Sequence, residues 1–403
     1  MSDLEAPERP DRTRRDHGRP EHDFLLRCLQ ETFHDGPRIE RHRDDDFDWE
    51  YLLRLAEEHR LAPLVYRRLS GERVDSAPEP VIAALESRSQ SVTFRNLNMM
   101  RTLQRTVDLF EEHGIRALPY KGPSLSAVVH DDVAFRGSKD LDVLLPETDV
   151  LAARDLLLEN GFRPKQPLTG REMRTKLRGS RHVSVVNEDN IRIELHWRIT
   201  GGRFPFDVDF ERMWRNRTLI DVGNGTIPMI SPDELVILLA VHGNHHCWSE
   251  LAWLCDFTGV IETYDFDWSE RLRSASRLGV ERMLLVGFQL SHDLAGVEPP
   301  PIIQRRIRTD RSVMELSERV VDQFLWTTEP PALSRSQYRI KVRERPVDKL
   351  RMLTRQAFMP RQKDFDALPP LVQFYPAAVV CRPVRIGGVI ASALADRLRQ
   401  TRG

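Results

Sequence analysis

Two acidic residues, Asp140 and Asp142, lie one residue apart within the apolar segment KDLDVLL at residues 139–145. The segment has the composition of a β-strand, in which side chains two positions apart point to the same face. Both carboxylates therefore share one face, and the apolar side chains share the other. Like charges held this close raise each other's pKa and reduce stability unless a positive charge lies nearby. The segment predicts a strand whose acidic face needs a cation.

A second strand pattern with the same alternation is IRIELHWRI at residues 191–199, whose polar face includes Glu194 and His196. If the two strands are neighbours, Glu194 joins Asp140 and Asp142 in one anionic pocket. Hard divalent cations such as Mg²⁺ prefer carboxylate oxygens. His196 either orients Glu194 or contacts phosphate. Taken alone, an acidic pair on a strand is more often a solvated surface, and only the convergence of several features favours an enzyme.

A turn upstream of the acidic pair supplies one of these features. The strand pattern IRALPYKG at residues 115–122 ends in Lys121 and Gly122, and the sequence of a helix start, including Ser124, follows. Free backbone N–H groups at a helix start, together with Lys121, can hold a phosphate. Arg136, just before the acidic strand, either meets a phosphate or pairs with a carboxylate.

The chain has 403 residues, enough for two or three domains. Apolar residues at helical spacing predict helices up to Gly114 and again from Ser231, while alternating patterns between them predict the order strand–helix–strand–helix–strand–strand. The predicted parts are a disordered arm at 1–23, an N-terminal helical segment at 24–90, an α/β or α+β unit at 91–230, a helical domain at 231–300 and a C-terminal helical extension at 301–403, to which we assign no role.

Composition narrows the class of protein. The chain has 60 Lys and Arg against 61 Asp and Glu, so its charge gives no reason to expect that it coats nucleic acid. Its four cysteines are scattered without a CxxC pair, which fits a reducing cytoplasm and argues against a disulfide framework or a zinc knuckle. The N-terminal residues lack the apolar core of a signal peptide, and no segment is long and apolar enough to span a bilayer. We therefore expect a soluble cytoplasmic protein.

Histidines are concentrated in the segment HGNHHCWSELAWLCD at residues 242–256. His242 and His246 are four positions apart, a spacing that suits zinc on a helix. We expect Gly243 and Asn244 to interrupt that helix, however, and no glutamate follows the first histidine. The favoured interpretation is a helix end near the acidic pocket, with histidines hydrogen-bonded to an acid or a phosphate.

Other residues of this region have structural explanations. Four apolar side chains are expected in the core rather than in a platform for base stacking: Trp248, Leu251, Trp253 and Leu254. Asp256 is either functional or an acid at a helix start. The arginines at residues 305–311 form a modest basic patch, which we interpret as solvated surface, with RNA binding as the less favoured alternative.

Four sequence blocks occur in this order: PYKGPSL, FRGSKDLDVLL, IELHW and HGNHHCWSELAWLCDF. Together they resemble the uncharacterised nucleotidyltransferase family of the polymerase β-like superfamily, over roughly residues 30–300. The resemblance implies an α+β fold, with a mixed sheet flanked by helices and a further C-terminal helical domain. It makes residues 91–230 the catalytic domain.

The resemblance also implies roles for individual residues. Asp140, Asp142 and Glu194 are the expected catalytic and metal-binding residues, with Mg²⁺ as the metal and Mn²⁺ as the alternative. The expected nucleotide-binding residues are Lys121, Gly122, Ser124, Arg136 and His196. The superfamily usually has Gly-Gly or Gly-Ser at the turn, whereas this chain has Lys121-Gly122-Pro123-Ser124, and Asp140 follows Gly122 by 18 positions.

The activity implied by the resemblance is transfer of a nucleoside monophosphate from an NTP, with ATP expected, to an acceptor, with release of pyrophosphate. One metal ion held by Asp140 and Asp142 would orient the triphosphate, and a second, shared with Glu194, would lower the pKa of the acceptor hydroxyl. Replacing either aspartate by Asn is expected to abolish transfer and to raise stability without metal. The acceptor is open among small molecules, peptides and proteins, and neither a membrane nor a nucleic acid is expected.

Two other functions remain as alternatives. A catalytically inactive, nucleotide-binding regulatory protein could share the fold, and the altered glycine turn favours it while the three carboxylates oppose it. RNA end modification would need a basic groove lined by aromatic residues, which the neutral charge balance does not suggest.

Overall fold

The computed structural model describes residues 19–33, 47–71, 77–168, 170–222, 225–327, 330–360, 364, 377–385 and 387. Most of the predicted disordered arm therefore lies outside the described residues, and its last residues already belong to the first helix, which begins at Pro20. Much of the predicted C-terminal extension beyond residue 360 also lies outside them.

Four helices precede the sheet: α1 (Pro20–Phe33), α2 (Trp49–Glu58), α3 (Ala62–Leu69) and α4 (Glu79–Glu112). Asp48 caps α2 by accepting a hydrogen bond of 2.9 Å from the backbone N–H of Tyr51. The backbone of Arg60 is left-handed, with φ of 61°, and this separates α2 from α3. Helix α4 ends just before Gly114, as the sequence predicts, and it runs without a break through residue 90, the predicted domain boundary.

The central sheet has five strands: β1 (Leu118–Pro119), β2 (Leu141–Leu144), β3 (Arg163–Pro164), β4 (His182–Val186) and β5 (Arg192–His196). Their order is β1-β2-β5-β4-β3; β2 and β5 are parallel, and the other pairs are antiparallel. Asp142 pairs in register with Glu194, so the two acidic strands are direct neighbours. The predicted α+β fold, a mixed sheet with flanking helices, is confirmed.

The apolar face of this sheet packs against two helices. Leu141, Val143, Ile193 and Leu195 are all fully buried, and they belong to one core cluster with residues of α4 and of α6 (Val150–Glu159). This is the alternation that the sequence predicts for β2 and β5. The acidic side chains lie on the opposite face of the sheet, which does not pack against α4 and α6.

Further elements of this region are α5 (Pro123–His130), α7 (Gly170–Gly179), α8 (Phe210–Arg215) and a two-stranded sheet of β6 (Thr218–Asp221) and β7 (Thr226–Met229). The predicted hairpin of β4 and β5 is confirmed, with Asn190 in the left-handed region of the turn at φ of 57°.

Helices make up the described part of the chain after β7: α9 (Pro232–His245), α10 (Leu251–Thr263), α11 (Trp268–Leu278), α12 (Glu281–Ala295), α13 (Pro301–Thr309), α14 (Arg311–Val320), α15 (Ala332–Lys341) and α16 (Pro346–Phe358). A π-helical turn, Val321–Leu325, continues α14. These helices share one hydrophobic core with α1, α2 and α3. Across the described ranges, no helix combines the length and the apolar character needed to cross a bilayer.

The prediction that Gly243 and Asn244 interrupt the histidine-rich helix is wrong, because α9 continues through both residues. The buried Asn244 amide donates hydrogen bonds to the carbonyl oxygens of Ala240 at 2.8 Å and Met283 at 3.0 Å. Gly243 lacks a Cβ, and a Cβ there would lie 2.5 Å from the Trp248 ring. Both residues therefore allow α9 to pack against its neighbours, Asn244 through its hydrogen bonds and Gly243 through its lack of a side chain.

Helix α15 is attached to α9 by a buried hydrogen bond. The hydroxyl of Tyr338, which is fully buried, donates to Oδ1 of Asn244 at 2.7 Å. Because both atoms are removed from water, loss of the donor leaves an unsatisfied acceptor inside the core.

Tyr338→Phe should lower the free energy of unfolding by about 1–3 kcal/mol, the usual cost of an unsatisfied buried polar group. Urea denaturation measures this value. Tyr264→Phe is the matched control, since the described residues supply no hydrogen-bond partner for that hydroxyl, and it should change stability little. Equal effects of the two substitutions would contradict this account of how α15 is held.

Candidate active site

A pocket of about 120 Å³ lies at the polar face of β2 and β5. The start of α5 contributes Lys121 and Gly122, the two acidic strands contribute the three carboxylates, and α9 and α10 contribute the wall opposite. The lining holds five acidic and five basic residues: Asp140, Asp142, Glu194, Glu250, Asp256, Arg60, Lys121, Arg136, Lys139 and Arg181.

The structure brings Asp140, Asp142 and Glu194 together, as the strand alternation predicts. Their side chains are 27%, 6% and 11% exposed, so Asp140 faces the opening and the other two lie deeper. Their predicted catalytic and metal-binding roles stay predictions.

The carboxylate of Asp142 is bound by two buried side chains, those of Lys121 and His196. Nζ of Lys121 lies 3.1 Å from Oδ2 of Asp142, and Nε2 of His196 lies 2.8 Å from Oδ1. Burial favours the protonated acid, but these two partners outweigh burial and hold the pKa of Asp142 well below its usual range. The positive charge that the sequence appeared to lack is thus supplied to Asp142 by the protein itself.

His196 is almost fully buried and touches both deep carboxylates, since its Nε2 also lies 3.3 Å from Oε2 of Glu194. Burial favours the neutral imidazole, yet contact with Asp142 and Glu194 raises the pKa of His196. The geometry therefore favours orientation of the carboxylates over phosphate contact, and the predicted nucleotide contact of His196 stays a prediction.

Asp140 has no comparable partner among the described residues. Its nearest cation is Arg192, whose Nη1 lies 3.7 Å from Oδ2. Burial and the negative charges of Asp142 and Glu194 raise the pKa of Asp140 to about 6. Excess negative charge is therefore concentrated at the most exposed carboxylate of the pocket.

The glycine turn brings the start of α5 against β2. Gly122 has φ of 81°, a left-handed value that favours glycine, and a Cβ there would lie 3.3 Å from the carbonyl oxygen of Asp140. The buried Ser124 hydroxyl donates a 3.1 Å hydrogen bond to the carbonyl of Lys121. Ser124 thus stabilises the turn, and its predicted nucleotide contact stays a prediction.

Arg136 forms an ion pair with Asp256, and both side chains are only 2% exposed. Nε and Nη2 of Arg136 each donate to a different carboxylate oxygen of Asp256 at 2.6 Å. Of the two roles open for Arg136, the structure favours pairing with a carboxylate, which also explains Asp256. Its predicted phosphate contact stays a prediction, and this bidentate pair argues against it.

Several pocket residues could not be identified from the sequence. Nε of Arg60 lies 2.6 Å and Nζ of Lys139 lies 3.0 Å from Glu250, which neutralises part of their charge. Arg181 precedes β4, and its Nη1 lies 3.2 Å from Nε2 of His246. The described residues provide no carboxylate that forms an ion pair with Arg181. No local pattern marks these residues, because each reaches the pocket from a turn or loop.

The two histidines of α9 contact basic groups. Nδ1 of His242 lies 3.5 Å from Nζ of Lys121, and His246 contacts Arg181. Burial and these neighbouring cations hold the pKa of both histidines well below the usual value. Of the two expected partners, an acid is wrong for the described residues, since the side chains that contact these histidines belong to Lys121 and Arg181. A phosphate as the partner stays a prediction.

The four apolar residues that were predicted for the core in this segment lie partly in the core and partly at the pocket. Trp248, Leu251 and Leu254 are buried in the core, as predicted. Trp253 is half-buried and lines the pocket, so the prediction that it belongs to the core holds only in part.

Two sets of donors could hold a metal ion. The three carboxylates provide hard oxygen ligands, and no cation of the described residues lies as close to Asp140 as Lys121 lies to Asp142, so the donor chemistry fits Mg²⁺ or Mn²⁺. A second set, His182, Glu194 and His196, has ligand atoms within 4.8 Å of one another. Each set contains a group that is already engaged, His196 by Asp142 and Asp142 by Lys121 and His196, so the preference for the carboxylates rests on their hard oxygen ligands, which suit Mg²⁺ and Mn²⁺ better than imidazole does.

Asp256→Ala should destabilise the protein by about 3–5 kcal/mol, because it leaves the buried guanidinium of Arg136 without a counter-charge. Chemical denaturation followed by circular dichroism measures the change. Asp207→Ala, which removes a carboxylate 72% exposed and paired with Arg351, is the control and should have little effect. If the Asp256 variant were as stable as the control, the pair would not be a structural element of the pocket.

The two aspartates should respond oppositely to replacement by Asn in metal-free buffer. Asp140→Asn should raise the free energy of unfolding by about 1–3 kcal/mol at pH 8, because the folded state raises the pKa of this acid and so penalises its charged form. The gain should shrink as the pH falls from about 6, the pKa in the folded state, and should vanish only below 3.8, the ordinary value, where the carboxyl is protonated in both states. Asp142→Asn should lower it by about 3–5 kcal/mol, since it breaks a buried ion pair.

This comparison changes the expectation for Asp142, whose replacement was expected to relieve repulsion in the same way. Denaturant titrations of both variants across this pH range test it. A gain in stability from Asp142→Asn would show that Lys121 and His196 do not compensate that carboxylate.

The architecture and the pocket agree with one protein family. A family model described as uncharacterised nucleotidyltransferase matches residues 45–296, more than half of the chain, and all residues that line the pocket lie within this match. No curated protein matches the chain. The chain belongs to the uncharacterised nucleotidyltransferase family.

Proposed function

We propose that this protein transfers a nucleoside monophosphate from an NTP, with ATP as the expected donor, to a separate acceptor and releases pyrophosphate. The observation that carries the proposal is the pocket in which Asp140, Asp142 and Glu194 face the turn at Lys121 and Gly122. Carboxylates on one wall and phosphate-binding groups on the other are what a metal-bound triphosphate requires.

Asp140, Asp142 and Glu194 are the residues that would hold Mg²⁺, or Mn²⁺ in its place. When bound, the metal would offset the charge of the triphosphate and lower the pKa of an acceptor hydroxyl. The support for this assignment is the excess negative charge at Asp140, which faces the opening of the pocket.

The triphosphate would lie against the start of α5. Backbone N–H groups at a helix start attract anions, and Gly122 allows close approach at that point. Lys121 lies between the helix start and Asp142. A phosphate oxygen bound at the helix start could therefore draw the ammonium of Lys121 away from Asp142. Arg181 is the second cation suited to this role, because no carboxylate of the described residues neutralises it.

The remaining residues of the pocket are positioning residues. His196 holds Asp142 and Glu194 from behind, and the pair of Arg136 with Asp256 fixes the chain entering β2 against α10. The acceptor hydroxyl oxygen would bond to the α-phosphorus and give its proton to solvent. The bond between the α-phosphorus and the oxygen of the β-phosphate would break, and pyrophosphate would leave.

A second candidate is a nucleotide-binding regulatory protein without turnover. One observation favours it: the ammonium of Lys121 already occupies one oxygen of Asp142, which lowers the demand for a metal there. If the protein bound the nucleotide but released no pyrophosphate with any acceptor, including the protein itself, this candidate would be favoured.

A non-hydrolysable ATP analogue should raise the melting temperature only with Mg²⁺ present, and Asp140→Asn should abolish this stabilisation while the circular dichroism spectrum stays unchanged. The reason is that the variant removes a metal ligand without disturbing the core. Differential scanning fluorimetry measures the effect. Asp189→Asn, in the exposed turn between β4 and β5, should behave as the wild type. Stabilisation that does not need Mg²⁺, or that survives in the Asp140 variant, would contradict the proposed site.

A further inference from the structure

A second and much larger cavity, of about 1020 Å³, adjoins the pocket of the three carboxylates. One wall comes from α7, from the residues that enter β4 and from the loop at 201–204. The opposite wall comes from α15, α16 and the described residues that follow α16. The smaller pocket, of about 120 Å³, has room for phosphates and metal but not for a complete second substrate.

The two spaces are continuous at one point. Arg181 and His246 line both of them. His182, on the wall of the large cavity, has its Nδ1 3.3 Å from Oε2 of Glu194, which faces the small pocket. A molecule in the large cavity can therefore reach the third carboxylate across this boundary.

Cationic residues outnumber acidic residues in the lining of the large cavity. Its lining contains one acidic residue, Glu172, and six cationic residues: Lys176, Arg181, Arg203, Arg339, Arg382 and Arg385. In contrast, the acidic and basic residues of the small pocket are equal in number. A cavity with this excess of cations attracts an anion.

Part of this positive charge is held in place by the protein. Arg339 donates through Nε to the carbonyl of His245 at 2.7 Å. Arg382 and Arg385 both donate to Asp364, at 2.7 and 2.5 Å, so a single carboxylate is shared by two guanidinium groups. Fixed guanidinium groups lose little entropy when they bind a phosphate or a carboxylate.

Lys176 on α7 is the exception, because it is half-buried and forms no ion pair with any described residue. Burial lowers the pKa of Lys176, and the charge of Glu194 at the edge of the small pocket opposes this effect without forming an ion pair, so an anion in the cavity would stabilise the ammonium further. It lies on the side of the cavity that belongs to the catalytic unit, and it is therefore the most direct probe of the cavity.

The C-terminal helices complete the cavity. The family match ends at residue 296, yet the wall opposite α7 is made by described residues between Ser336 and Pro360 and by Arg382 and Arg385. The two sides meet closely, since a Cβ on Gly202 would lie 2.7 Å from Sδ of Met359. The part of the chain outside the family match thus decides the size and charge of this space.

We propose that the large cavity is the acceptor site and that it selects a small hydroxylated molecule carrying a phosphate or carboxylate group. This inference rests on the proposed nucleotidyl transfer. The cationic wall would hold the anionic group, and the hydroxyl would point towards Glu194 and the α-phosphate. The C-terminal extension, for which the sequence indicated no role, would supply specificity for the acceptor.

Binding of two matched pairs of probes tests the charge selection: glucose 6-phosphate against glucose, and gluconate against glucose. Isothermal titration calorimetry on the full chain should detect the two anionic probes and not glucose. Lys176→Gln should weaken binding of glucose 6-phosphate about tenfold, the value of one charge-assisted hydrogen bond, and Lys176→Arg should restore it. Arg308→Gln, at an exposed position of α13, is the control and should bind as the wild type.

The same variants separate this inference from the proposed function. Binding of the ATP analogue with Mg²⁺ should not be weakened in Lys176→Gln, because the removal of a positive charge near Glu194 does not disfavour a cation there, and Asp140→Asn should lose this binding while still binding glucose 6-phosphate. Equal binding of glucose and both anionic probes would overturn the acceptor inference alone. Loss of ATP binding in Lys176→Gln would also overturn it, since the cavity would then hold the nucleotide. Loss of Mg²⁺-dependent ATP binding in the wild type would overturn the proposed function instead.

Discussion

The central constraint on this structure is that three neighbouring carboxylates on one face of a sheet repel one another and must be compensated by positive charge. Asp142, the deepest, is held between Lys121 and His196, so its charge is stabilised by the protein itself. Asp140 is left with a distant guanidinium and the repulsion of its neighbours. Because the internal compensation is incomplete, a cation that entered the pocket would relieve the remaining repulsion, as the proposed function requires.

The fold serves this arrangement by bringing cations to the acidic strands from distant parts of the chain. Lys121 comes from the turn before α5, Arg60 from the turn between α2 and α3, and Arg181 from the entry to β4. The N-terminal helices and the helices after β7 share one core, which holds these contributions in fixed positions. The buried pair of Arg136 and Asp256 joins the entry of β2 to α10 in the same way.

The sequence was sufficient for features that depend on neighbouring residues. Strand alternation placed Asp140, Asp142 and Glu194 on one face, and the strand end at Gly122 with a helix start after it was predicted as well. It was insufficient where long-range packing decides the outcome. Asn244 was expected to end a helix, yet its amide is satisfied by α12. The partners of charged residues were equally inaccessible, because a guanidinium such as that of Arg60 finds its carboxylate on an element far along the chain.

The central claim is that Asp140, Asp142 and Glu194 hold a divalent cation together with a triphosphate. A crystal structure of the full chain with Mn²⁺ and a non-hydrolysable ATP analogue tests it most directly, because the anomalous signal of manganese locates the ion independently of the protein atoms. The account predicts anomalous density among these three carboxylates and phosphate oxygens at the start of α5. Manganese bound elsewhere, or a triphosphate that avoids Lys121 and Gly122, would contradict it.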